Sequence, residues 1–261
     1  MKKAWLDWPF ESQGYIQSSI ETKIEGRKII IENGKITLEL KEDDTDDKGS
    51  CSPQFLNEID LQIKSCVNIL QVHANRKFTL NKYSLYTSFE EGNLNVTVFP
   101  DTLIIKLSSE EPDLIITDNH GNEVANTKKA RLESILQSLR LYSANGIKDN
   151  TLGFILESYN RSLNDPNLSI VALYDIRDAL TIKFKKEDAV KKELKISKKT
   201  WQRLGEIANE LPLLQSRHSG KKFNKPLRNI DNEELKEIRS IAKKMIDSYL
   251  IYINKLTIQS N

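Results

Sequence analysis

From near residue 126 onward the apolar residues keep one period, whereas before it strand-like runs are interrupted by a single helical stretch, and that contrast limits the folds open to the chain. Before residue 126, short apolar runs rich in Ile, Val, Thr and Tyr are separated by turn residues, as strands require. After it, apolar residues recur every three or four positions, as in helices with one buried face. The chain has 261 residues, enough for one large or two ordinary domains with a core. The pattern predicts an α+β protein. Residues 1–125 form an antiparallel sheet with a covering helix, and residues 126–261 form an all-α helical bundle.

The clearest local signal is KIIIENGKITLEL, residues 28–40. Asn33-Gly34 tolerates the positive φ angles of a tight hairpin turn, and β-rich runs flank it. The acidic KEDDTDDKGS that follows reads as a flexible loop. Its Asp spacing lacks the glycine and terminal Glu of a calcium loop, so no metal is expected there. Phe55, Ile59, Ile63, Val67 and Leu70 then mark a helix, with Ser52 as N-cap and Pro53 in its first turn. His73 falls near its end, where it can satisfy carbonyls. KFTLNKYSLYTSF, NLNVTVF, TLIIKLSS and DLIITDNHGNEV read as further strands, with His120 in a turn. Trp5, Trp8 and Phe10 read as anchors that pin the N-terminus to the core.

In the second half, Leu132, Ile135, Leu136, Leu139 and Tyr142 form one stripe that stops near Gly146. TLGFILESYNRSL is a second helix, ended by Asn164-Asp165-Pro166. Asn167 is placed to cap a third, LSIVALYDIRDALTIKF. EDAVKKEL and KKTWQRLGEIANEL form a shorter pair with Ser197 as N-cap. The last helix starts at Asp231, with Glu234 in the capping-box relation.

Net charge is +2, but residues 181–261 hold 19 basic and 10 acidic side chains, a net +9. The rest therefore carries −7, an asymmetry that points to an anionic partner for the basic part. Only Cys51 and Cys66 occur, with no CxxC, which fits a reducing cytoplasm. The start, MKKAWLDWPFESQG, lacks the apolar run of a signal peptide, and no stretch has the length of a membrane span. Phosphate-loop, dinucleotide, nucleophile-elbow and zinc motifs are absent, so neither metal nor cofactor is called for.

VKKELKISKKTWQRL resembles a helix-turn-helix. Lys198, Lys199 and Arg203 lie on its second helix, placed to meet phosphates. It departs from that pattern at Lys191, where a small residue is usual, and at Lys195, where glycine is usual. The layout of residues 127–256 resembles the HEPN superfamily, helical proteins common in prokaryotic defence and toxin systems. LGFILESYNRSLND, LSIVALYDIRDALTIKF, the inserted short helices and a long final helix after a basic segment carry the likeness. It implies a helical bundle, dimerisation and metal-independent RNA cleavage by an Arg and a His with four to six residues between them. Here Arg217 and His218 are adjacent. Arg203 lies too far upstream, and no histidine follows Arg228 at that spacing.

The residues of QSRHSGKKFNKPLR, 215–228, make their own case for RNA. Cleavage without metal needs a base for the 2′-hydroxyl and a cation for the phosphate. His218 titrates near neutrality and Arg217 can grip phosphate with two donors. Lys221, Lys222, Lys225 and Arg228 would add backbone attraction. Asp175 and Asp178, three apart on the third helix beside Arg177, are placed to orient that segment or to form plain ion pairs. Three readings stay open: an RNA-directed defence or toxin protein, a non-enzymatic module that dimerises or binds another protein, and a helix-turn-helix regulator of DNA.

Overall fold

The structure, a computed structural model, describes residues 3–12, 14–88, 94–98, 115–117, 123–146, 148–217 and 226–260. The fold is α+β, an antiparallel sheet in the N-terminal part followed by helices. Contacts divide it into two compact units, residues 1–67 with 78–143, and residues 68–77 with 144–261.

In the first unit the strands are β1 (Lys3–Glu11), β2 (Ile20–Ile24), β3 (Arg27–Glu32), β4 (Gly34–Glu39), β5 (Thr79–Leu80), β6 (Ser84–Ser88) and β7 (Leu94–Val98). They run antiparallel in the order β2-β3-β4-β1-β6-β7, with β5 on β1. The β3–β4 hairpin forms as its sequence requires, and Gly34 takes a φ of +103° at the turn. Two further strands, β8 (Ile115–Thr117) and β9 (Glu123–Asn126), pair with each other. The expected strand TLIIKLSS, 102–109, and the turn at His120 lie outside the described residues.

The N-terminal segment is a strand at the centre of the sheet, and Trp8 and Phe10 pin it to the core as read. Alternation along β1 buries Leu6, Trp8 and Phe10 on one face and turns Trp5 to the other, where it is half-buried. Helix α1 (Pro53–Ala74) begins against that inner face. Ser52 caps it by accepting the Phe55 amide at 3.2 Å, and Asp60 takes the Trp8 indole N–H at 3.0 Å.

The acidic segment is more ordered than its composition suggests. Arg27 Nε donates to Asp44 at 2.7 Å, and Asp46 accepts the amides of Lys48 and Ser50 at 2.9 and 2.8 Å. Gly49, with φ +83°, lies so close to β6 that a Cβ there would stand 2.6 Å from Thr87 Cγ2. Helix α2 (Thr127–Leu141), capped by Asn126, belongs to the first unit and packs beside β2. It ends in a π-helical turn over Tyr142–Gly146.

The second unit holds α3 (Asn150–Asn164), α4 (Ser169–Phe184), α5 (Glu187–Glu193), α6 (Lys198–Asn209) and α7 (Asn232–Ser260). Its core is built from Leu152, Ile155, Leu156 and Tyr159 of α3, Leu173, Ile176 and Leu180 of α4, and Ile238, Ala242, Met245 and Tyr249 of α7. Each run keeps a three-to-four spacing, so one stripe per helix is buried. A fully buried Leu or Ile in such a core contributes about 1.5–3 kcal/mol. The α7 capping box forms as read. Asp231 accepts the Glu234 amide at 2.8 Å, and Glu234 accepts the Asp231 amide at 3.2 Å. At α4 the N-cap position falls to Leu168 rather than Asn167. Asp165 serves that turn, accepting the Asn167 amide at 2.9 Å.

Candidate nucleic-acid interface

The two short helices α5 and α6 are joined by Leu194–Ser197. The end of α5 closes as a Schellman motif: Ile196 N–H reaches the Lys191 carbonyl at 3.0 Å and Lys195 N–H the Lys192 carbonyl at 3.4 Å. That motif needs a left-handed residue, and Lys195 supplies it with φ +52°. Glycine is not required, because the Lys195 side chain points to solvent rather than between the helices. Ser197 then caps α6, accepting the Thr200 amide at 3.1 Å. Val190, Leu194, Ile196, Trp201 and Leu204 are all buried; α5 packs on α4, and α6 packs on both α4 and α7.

Arg177 of α4 sits inside this arrangement. Its guanidinium lies 4.7 Å from the Trp201 ring centre and 5.3 Å from that of Tyr174, and it donates to Glu187 at 2.7 Å. Burial acts most strongly on the Glu187 carboxylate and raises its pKa, but the hydrogen bond from Arg177, the Trp201 indole N–H and the charges of Arg177 and Lys191 together outweigh it and lower the pKa. Gly205 makes room for this guanidinium, since a β-carbon there would collide with Arg177 Nη1.

The consequence is a cluster of lysines around the turn. Lys192, Lys195, Lys198 and Lys199 are exposed, and among the described residues their ammonium groups have no ion-pair partner. Lys191, by contrast, is tied to Asp188 at 2.6 Å. Two of the four, Lys198 and Lys199, stand on the first turn of α6, where the helix dipole also favours an anion.

The arginines expected to bind nucleic acid are placed differently. Arg203 donates to both Glu237 oxygens at 2.9–3.1 Å and pairs with Glu206 at 3.0 Å. The Glu237 bonds, then the Glu206 bond, raise its pKa. Arg228 makes a two-pronged pair with Glu234 at 2.6 and 2.7 Å, which raises the arginine pKa and lowers the Glu234 pKa. Arg217 donates to Asp178 at 3.0 Å and lies 4.4 Å from the Tyr174 ring centre. Asp178 thus takes up the loop-orienting place read from the sequence, while Asp175 pairs with Arg161 instead.

Arg217 and Arg228 flank a closed neck. Leu214 N–H bonds the Arg228 carbonyl at 2.9 Å, Arg228 N–H the Pro212 carbonyl at 3.0 Å, and Gln215 the Asn229 side chain at 2.8 Å. His218, Lys221, Lys222 and Lys225 lie outside the described residues.

One polar cluster in the second unit was not marked by any motif. His73 lies near Lys243 and Asp247 of α7, which pair at 2.6 Å, and Tyr159 donates to Asn75 at 3.1 Å. Burial, then Lys243, pushes the His73 pKa down to about 4, so the imidazole is neutral. Only the three-dimensional meeting of the α1 end with α3 and α7 reveals it. Among the described residues no group of three or more His, Cys, Asp or Glu side chains is placed to hold a metal ion, and no helix is long and apolar enough to cross a membrane. Comparison of the chain with models of protein families, with curated proteins and with solved structures gives no match.

Proposed function

We propose that the second unit binds nucleic acid, and that it does so through the α5–turn–α6 segment against the phosphate backbone of duplex DNA. The carrying observation is the four unpaired, exposed lysines around a capped helix-turn-helix, in a unit whose described arginines at 177, 203, 217 and 228 are each committed to a carboxylate. Lysines held this way make sequence-independent contacts to phosphate, and α6 carries Gln202 on its exposed side for further contact. Binding of labelled duplex DNA by the purified chain tests this. Affinity falls at least tenfold in Lys198→Ala/Lys199→Ala at low salt, each lost phosphate contact removing roughly a kcal/mol or more. Unchanged affinity would sink the reading.

A second reading has one observation in its favour. The neck at 212–217 and 226–230 fixes both ends of the basic segment, and Asp178 with Tyr174 holds Arg217 at its foot. The sequence between those ends, with His218, Lys221, Lys222 and Lys225 and no acid, suits RNA. The likeness to HEPN proteins adds defence or toxin activity, a homodimer and metal-independent cleavage by Arg217 and His218. Gel analysis of RNA incubated with wild type and His218→Ala separates the two. Fragments that vanish in the variant support this reading, and intact RNA in both leaves duplex binding as the function.

A further inference from the structure

The outer face of the sheet carries a row that none of the nucleic-acid readings uses. The strand registers set Glu39 of β4 directly opposite Trp5 of β1 on one side, and Tyr86 of β6 opposite it on the other. Trp5 and Tyr86 stack, with ring centres 5.4 Å apart and planes within 4°. One face of the indole is therefore covered. The other looks toward β4, into a hollow of about 450 Å³ that Tyr86 does not line. Thr37, Ala4 and Leu40 complete its lining, and Glu39, Glu42 and Lys3 carry its charge.

None of these three charged side chains has an ion-pair partner in the described structure, although carboxylates close by do. Asp44 is taken by Arg27, and Glu21 by Lys28. Two carboxylates against one ammonium leave the hollow negative. An indole face adds the attraction of its electron-rich ring for a cation. The volume matches that of ordinary small-molecule sites.

We propose that this hollow binds an organic cation. Its ammonium or guanidinium group sits between the free face of Trp5 and the carboxylates of Glu39 and Glu42, and its apolar body lies along the Trp5 indole. Lys3 stays at the rim with its ammonium in water.

The chain reports on this site directly. Of its three tryptophans, Trp8 and Trp201 are fully buried and Trp5 is half-buried, so a ligand in the hollow acts on the emission of Trp5. Titration of the full chain at low salt and neutral pH compares benzylamine, a cation, with benzyl alcohol and benzoate, its neutral and anionic counterparts of similar shape. The proposal predicts a saturable change with benzylamine, and binding weaker by about tenfold for benzyl alcohol and for Glu39→Gln/Glu42→Gln. Both glutamates are exposed, so that variant keeps the wild-type circular dichroism. Calorimetry on Trp5→Leu, which reads heat rather than emission, should show benzylamine binding lost. No saturable change with benzylamine overturns the proposal. So does equal or tighter binding of the alcohol or of benzoate, or a double glutamate variant that binds as wild type.

Discussion

Lys195 holds a left-handed conformation that a β-carbon disfavours by roughly 1 kcal/mol relative to glycine. Lys195→Gly is accordingly expected to raise stability by about 0.5–1 kcal/mol in urea unfolding, while removing one cation from the proposed interface. A loss of stability would mean the turn is not left-handed. Gly49 presents the opposite case. Its φ of +83° and its contact with Thr87 leave no space for a methyl group, so Gly49→Ala should cost about 2–3 kcal/mol by the same measurement. His73 sets a pH dependence. Its folded pKa of about 4 lies below the ordinary 6.5, so the unfolded chain binds the proton more readily. Stability from this group is present above pH 6.5 and is lost as pH falls toward 4. Between pH 7 and pH 5 the loss should reach about 2 kcal/mol, and His73→Gln should flatten that part of the profile. An unchanged profile in the variant would place the imidazole in water.

At the scale of elements, local chemistry decided what could be read in advance. The Asn33-Gly34 hairpin, the Ser52 and Ser197 caps and the Asp231–Glu234 capping box each rest on a few adjacent residues, and each forms as the sequence states. The central strand β1 does not announce itself, because it contains Pro9, and proline argues against a paired strand. Its carbonyl accepts Asn81 N–H at 2.9 Å, so the missing N–H points to the same side. There the ladder passes from β6, which ends at the Asp7–Ser84 pair, to β5, which begins at Phe10–Leu80. The proline thus falls in a gap that only the assembled sheet creates. The same holds at the interface. The capped pair of short helices was legible, but the commitment of Arg203 to Glu237, 34 residues away, was not. Ser197→Ala should remove one cap and cost α6 about 1 kcal/mol, read as a lowered urea midpoint. An unmoved midpoint would show that the cap is not used.

On the scale of the molecule, the excess of basic side chains in the C-terminal part acts through those that remain unpaired. Ion pairing within the fold neutralises Arg177, Arg203, Arg217 and Arg228 locally; among the described lysines there left without an ion pair, Lys192, Lys195, Lys198 and Lys199 gather at one turn, while Lys185, Lys186, Lys244 and Lys255 lie elsewhere. The central claim is that the four lysines at the turn contact phosphates. The most direct measurement is the affinity for a short DNA duplex across a salt series, for wild type and for the variant with all four changed to alanine. Each phosphate neutralised contributes about 0.9 to the slope of log affinity against log salt. The account predicts a wild-type slope that is steep and that becomes shallower by about 3 to 4 in the variant. Identical slopes for the two proteins would contradict it.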